Sequence, residues 1–294
     1  MVKDNLKSIY KEIKSNNFSE EQAKALFVSA ANLEAGTAVK SEMKFSSKIP
    51  DFAPTHPEIL NSDYILSDIS IMADTDKSTR TSYETGGIGY EVLSTSGYNK
   101  TTTFLNAGSS NITAPSGKAG YMFYTIYSNG HYQDIGIGYF NGQWQAIASG
   151  YWTGWKTGTV SIAAGDKLYF KLWIGTDNNI YFQILDGNNF NKILFQNNYC
   201  TSSSPIPSSG SGVNFNRQIT LVDTAHNATS GLYLKDASFS QSYLYNDSVT
   251  QIFGDTNTDK NRRGKFGCSW VSDSKVSILS NSHWDSEKIS MTMQ

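Results

Sequence analysis

The chain has 294 residues, with 24 Lys plus Arg against 26 Asp plus Glu and a formal net charge of −2. That balance provides no cationic footprint for nucleic acid or an anionic membrane surface, and no run approaches the roughly 20 apolar residues of a membrane-spanning helix. Charged residues make up only 17% and aromatics 13%. Polarity therefore comes from uncharged Ser, Thr, Asn and Gly, and the rings can build cores, a composition of secreted all-β proteins and not of disordered chains.

Composition changes near residue 48. Of the first 48 residues 14 are charged, against 36 of the remaining 246. Leu6, Ile9, Tyr10 and Ile13 recur at helical spacing, which predicts a helix over about 4–15. Ser19 followed by Gln22 forms a capping-box pattern, and Ala23, Leu26, Phe27 and Ala30 continue a second helix over about 20–34. Residues 1–48 therefore read as a helical N-terminal segment, either packed on the main domain or acting as a pro-segment or docking arm, with a β-domain over 49–294. The opening residues lack the apolar run of a secretion signal. Composition still favours a secreted or cell-surface location, with an intracellular inclusion as the alternative.

Beyond about residue 60 the period becomes two. The runs 121–127, 134–140, 143–148, 167–174, 180–185 and 191–195 are rich in β-branched and aromatic residues, and each is bounded by turn residues. Asn141-Gly142 between two such runs is the strongest short-range hairpin signal, because both turn positions require positive φ. Further strands are predicted at 64–73, 86–94, 217–223, 231–236, 239–246 and 274–280. Residues 200–212, rich in Ser, Pro and Gly, read as an exposed loop. Ten or more short strands with no helical period among them predict an antiparallel two-sheet sandwich of jelly-roll character.

The residues that carry chemistry are sparse. Beyond residue 48 the only glutamates are Glu58, Glu84, Glu91 and Glu287, so the paired carboxylates of a glycosidase would have to be aspartates. His56, His131, His226 and His283 lie in no nucleophile motif. Cys200 and Cys268 are a disulfide candidate, with two inert thiols as the alternative. Asp255, Asn257 and Asp259 place oxygen side chains at alternate positions, as a calcium loop opens. The EF-hand pattern then fails, with Lys260 where glycine is needed and Phe266 where the bidentate glutamate belongs. The segment is a calcium site or a solvated polar loop.

The remaining signal is aromatic. Tyr151, Trp152 and Trp155 fall in one short stretch bounded by Gly150 and Gly158. Rings flanked by glycine in a loop suit stacking on the apolar faces of sugars, and they also suit covering one end of a sandwich core. Trp144 and Trp173, inside alternating runs, are expected in the core.

The runs 139–144, 165–173 and 179–184 (YFNGQW, GDKLYFKLW and NIYFQI) resemble the concanavalin A-like sandwiches. The runs 231–239 and 243–245 are similar to the secreted bacterial YrpD-type proteins. The resemblance implies a lectin-type sandwich over about 60–294. The calcium and manganese ligand pattern of the lectins is unmatched, so no site residue is carried over. The leading expectation is a non-catalytic, extracellular β-sandwich that binds carbohydrate or another polymer through Tyr151, Trp152 and Trp155. The alternatives are a self-assembling coat, matrix or inclusion protein and an Asp-based glycoside hydrolase. No cofactor is expected beyond calcium at the Asp255 loop.

Overall fold

The computed structural model describes residues 77–79, 87–113, 117–282 and 286–294. The predicted helices at 4–15 and 20–34 and the predicted strand at 64–73 lie outside the described residues. No helix among those residues is long and apolar enough to cross a membrane.

The strands in chain order are β1 (Gly87–Ser94), β2 (Lys100–Asn106), β3 (Ser109–Ser110), β4 (Lys118–Ser128), β5 (His131–Phe140), β6 (Gln143–Gly150), β7 (Lys156–Thr159) and β8 (Lys167–Ile174). They continue with β9 (Ile180–Asp186), β10 (Asn189–Tyr199), β11 (Asn214–Asp223), β12 (Tyr233–Tyr245), β13 (Thr250–Ile252), β14 (Thr258–Phe266), β15 (Val276–Asn281) and β16 (Glu287–Thr292). They form two antiparallel sheets. A seven-stranded sheet runs β14-β1-β11-β4-β5-β6-β7, and a nine-stranded sheet runs β10-β9-β8-β2-β12-β16-β15 with β13 and β3 also paired to β12. Consecutive strands β1 and β2, and again β11 and β12, belong to different sheets. This crossing closes the jelly-roll sandwich that the strand pattern predicts.

Alternation explains which side chains meet between the sheets. On β4 and β5 the residues Met122, Tyr124, Ile126, Ile135 and Ile137 point inward, and on β8 and β9 Phe170, Leu172, Phe182 and Ile184 do the same. The Asn129-Gly130 and Asn141-Gly142 turns take positive φ at all four residues (53°, 75°, 54° and 79°), the backbone of a hairpin turn matched to strand twist. Two sequence expectations need correction. The runs 231–236 and 239–246 are a single strand, β12, whose register shifts near Asp236 and Gln241, both at positive φ. These irregularities break the period of two and make one strand read as two. Trp173 lies outside the core: Leu172 and Ile174 occupy the inward phase of β8, and Trp173 stacks on Tyr181 on the outer face, centroids 5.3 Å apart. Lys167 and Lys171 share the Trp173 phase and point it outward, whereas Leu168, Phe170, Leu172 and Ile174 form the apolar phase; the expectation followed the indole's bulk and not its phase. Trp144 is buried as expected.

One ion pair joins the two sheets inside this core. Arg217 of β11 and Glu287 of β16 are both essentially inaccessible, and Arg217 Nε lies 2.7 Å from Glu287 Oε2. The Arg217 guanidinium also sits 4.4 Å from the Phe253 ring centroid. Burial is the largest influence and works against the Arg217 charge, but the Glu287 carboxylate together with the Tyr124 and Tyr90 phenols holds the guanidinium above its ordinary range. Removing one partner strands a buried charge. Glu287→Ala or Arg217→Ala should each lower stability by about 3–5 kcal/mol in denaturant unfolding. The double replacement Arg217→Met/Glu287→Leu should recover most of that loss.

A second titrating group sits on the outside of the nine-stranded sheet. Lys171 on β8 is half-buried, and burial pushes its ammonium down to about 8 from an ordinary 10.5. Between those values the unfolded chain holds a proton that the folded chain has released, so the folded state gains stability as pH rises. The thermal midpoint of the wild-type protein minus that of Lys171→Met should increase from about pH 8 to about pH 10. A flat difference would contradict the shift.

Candidate aromatic cleft on the seven-stranded sheet

The β5–β6 end of the seven-stranded sheet carries an open cleft of about 440 Å³, lined chiefly by His131, Tyr132, Ser149, Gly150, Tyr151 and Trp155. Gly150 ends β6 at φ 147°, and a Cβ there would stand 2.5 Å from the Tyr132 carbonyl oxygen. Only glycine permits this close approach, which turns the chain so that Tyr151 N–H donates to that same carbonyl at 3.0 Å. Gln133, fully buried at the start of β5, then pins the following residues. Its Nε2 donates to Thr153 Oγ1 at 2.8 Å, and its Oε1 accepts from Trp152 N–H at 3.2 Å.

The three predicted aromatic residues separate into two roles. Tyr151 is 49% and Trp155 54% exposed, and both line the cleft. Trp152 packs against the core instead and donates from Nε1 to the Ser204 carbonyl at 3.0 Å, which ties the 200–212 loop to this end of the sandwich. The sequence reading missed His131 and Tyr132. His131 stacks on Tyr151 with centroids 3.6 Å apart and planes 8° from parallel, which holds the Tyr151 ring in place. Tyr132 is 52% exposed beside it. The signal for both residues was the Asn129-Gly130 turn, which starts β5 at this edge.

A polar belt crosses the same outer face. Register places Ser149, Asp134, Thr125 and Asn216 in one row across β6, β5, β4 and β11. Thr125 Oγ1 donates to Asp134 Oδ1 at 2.7 Å and accepts from Gln218 Nε2 at 2.8 Å. Burial, with a contribution from Asp134, pushes the nearby Tyr121 phenol up to about 12. Farther along, the buried Glu91 carboxylate accepts from Ser78 Oγ, from Asn216 Nδ2 at 2.8 Å and from Arg262 Nε and Nη2 at 2.9 Å each. A carboxylate on which four donors converge, two from one guanidinium fork, is built for structure. Asp134, at the cleft end of the belt, is the more accessible acid.

The other sequence candidates stay apart. Asp255 Oδ1 accepts from Arg263 Nη1 at 2.8 Å, Asp259 Oδ1 accepts from the Asn261 backbone N–H, and Asn257 is buried with its amide donating to the Ile252 carbonyl. The segment is a short 3₁₀ turn leading into β14, and each oxygen serves its own local partner. Among the described residues no group of three or more His, Cys, Asp or Glu is placed to hold a metal ion. The disulfide candidate is corrected. Cys200 follows β10 of the nine-stranded sheet, Cys268 follows β14 of the seven-stranded sheet, and both are free thiols. The Cys200 side chain is exposed, and hydrogen bonding to Ser202 draws its thiol below the usual range. Thiol titration of the native protein should therefore find no disulfide and should label Cys200 before Cys268.

No family model matches the chain, and no curated protein matches it. Among solved structures, scytalido-glutamic peptidase bound to a peptide-based transition state analogue is 12% identical at a TM-score of 0.51, covering 70% of this chain and 98% of that one. A second structure of scytalido-glutamic peptidase, with a transition state analogue inhibitor, is 10% identical at 0.50 with the same coverage. An alginate lyase from Klebsiella pneumoniae reaches 0.30 at 9% identity over 47% of this chain and 54% of that one. The two peptidase structures establish the sandwich fold. These matches lend no support to the likeness with YrpD-type proteins.

Proposed function

We propose that the protein is an extracellular or cell-surface β-sandwich that binds an extended, uncharged polysaccharide in the Tyr151–Trp155 cleft. One observation carries this reading: two half-exposed rings flank an open cleft, and one of them is already immobilised by stacking on His131. Rings ordered before binding lose little conformational entropy when a sugar face stacks on them. The adjacent Ser149 hydroxyl supplies a polar partner for sugar hydroxyls. Isothermal titration against a panel of neutral glycans and cell-wall polysaccharides is the test. Tyr151→Ala and Trp155→Ala should each weaken binding about ten-fold or more. His131→Ala should weaken it less, by freeing the Tyr151 ring. A panel that binds equally well to the Trp155→Ala protein would remove the cleft from consideration. Repeating the panel with and without calcium shows whether the Asp255 loop takes any part.

A second reading is hydrolysis of the bound polymer. It is favoured by the position of Asp134, whose register partner Ser149 lines the cleft. The likeness to a glutamic peptidase adds peptides to the substrates worth screening. Product release abolished by Asp134→Asn would support this reading over simple binding.

A further inference from the structure

The aromatic surface does not end at Trp155. This residue leads directly into β7 and shares the outward phase of Thr157 and Thr159, and its ring centroid lies 6.1 Å from that of Phe140 on β5. Phe140 is half-buried on the same outer face, in the phase opposite to the core residues Ile135 and Ile137. It lies close to the sheet because Gly138 has no side chain: a Cβ there would stand 2.7 Å from Tyr121 Cε1 and 3.0 Å from Phe140 Cε1. The half-buried Tyr121 ring and the Phe140 ring therefore meet over Gly138. The rings of Tyr121, Phe140 and Trp155 follow one another from β4 to the start of β7, about 14 Å at ordinary strand spacing. They continue the cleft in which Tyr151 stacks on His131. Gln145 of β6 stands between Gly138 and Thr159 in one row, half-buried, and its amide makes no hydrogen bond to any described residue. Of the outward positions of β4 to β7, Asp134 alone is charged, and its Oδ1 accepts from Thr125.

We infer that these residues form a track extending the cleft, and that its ligand is a single chain of a linear, neutral, β-1,4-linked glucose polymer held along its length. The inference rests on the cleft reading and deepens it. A line of rings wider than one sugar engages successive units of a chain, so recognition runs along the polymer and not only at its end. The uncharged Gln145, Thr157 and Thr159 beside the rings are of the chemistry that meets sugar hydroxyls. The planes of Phe140 and Trp155 are 51° apart. Rings tilted in this way follow a twisted single chain, whereas the flat face of a crystalline polymer needs them coplanar. Stacking buries most C–H surface on a sugar whose hydroxyls are all equatorial, and equatorial bonds at both ends keep the chain extended. Glucose in β-1,4 linkage meets both conditions.

The test is isothermal titration of the full chain with the β-1,4-linked disaccharide and hexasaccharide of glucose, beside a pull-down on crystalline cellulose. The hexasaccharide should bind about ten-fold more tightly than the disaccharide, and Phe140→Ala, checked for native circular dichroism, should remove that advantage. Gln145→Ala, a change with no packing cost to the core, should weaken the hexasaccharide selectively. Trp155→Ala should weaken both sugars. Equal affinity for the two lengths with Trp155 still required would overturn the track and leave the cleft standing, as would a hexasaccharide indifferent to both Phe140→Ala and Gln145→Ala. Binding of neither sugar while another neutral glycan binds at Trp155 would overturn the glucose chain as ligand. Retention on crystalline cellulose without affinity for the soluble hexasaccharide would overturn the single-chain ligand.

Discussion

The two sheets are held in register by a charge pair that has no access to water. Arg217 and Glu287 belong to strands 70 residues apart in the chain, on opposite sheets, and meet at 2.7 Å among Phe239, Phe253 and Tyr124. Hydrophobic burial would tolerate many offsets between two apolar sheet faces, whereas a buried guanidinium and carboxylate must meet at one. With β11 and β16 aligned, the remaining strands follow by backbone pairing. The outer faces of both sheets then present defined rows of side chains.

Those rows explain why the sandwich has two chemically different exteriors. On the seven-stranded sheet, the row from Asn216 through Thr125 to Asp134 is polar and largely buried, and it ends at Ser149 in an open aromatic cleft. On the nine-stranded sheet, the equivalent outward positions carry lysines set against tyrosine, tryptophan and phenylalanine rings. The sheets share a core but not a surface. Some of the charges that composition counts as free are paired: Arg262 with the buried Glu91 and Arg263 with Asp255.

The cleft depends on backbone geometry as much as on aromatic content. Gly150 lets β6 turn within contact distance of Tyr132, Gln133 fastens the turn from beneath, and Trp152 locks the 200–212 loop against the same end. Trp152 is thus support, and Tyr151 and Trp155 are the exposed rings. Three aromatic residues within five positions play two different parts because consecutive residues in a tight turn point in different directions.

Local pattern in the chain was enough for the sandwich. Alternation in 121–127, 134–140 and 167–174 with turns at Asn129-Gly130 and Asn141-Gly142 depends on neighbours within a few residues, and these became β4, β5, β8 and two hairpins. The Tyr151–Trp155 stretch was legible for the same reason. Other features needed the tertiary structure. The polar strand β14, TDKNRRGKF, has no apolar alternation and reads as a loop until β1 pairs with it. Trp173 is a different case: Lys167 and Lys171 share its phase of β8 and already point it outward. The pairing of Arg217 with Glu287, the stacking of His131 under Tyr151 and the separation of Cys200 from Cys268 were settled by strand order and turn geometry. A local sequence pattern specifies which residues share a face, but only the pairing of distant strands decides which faces meet.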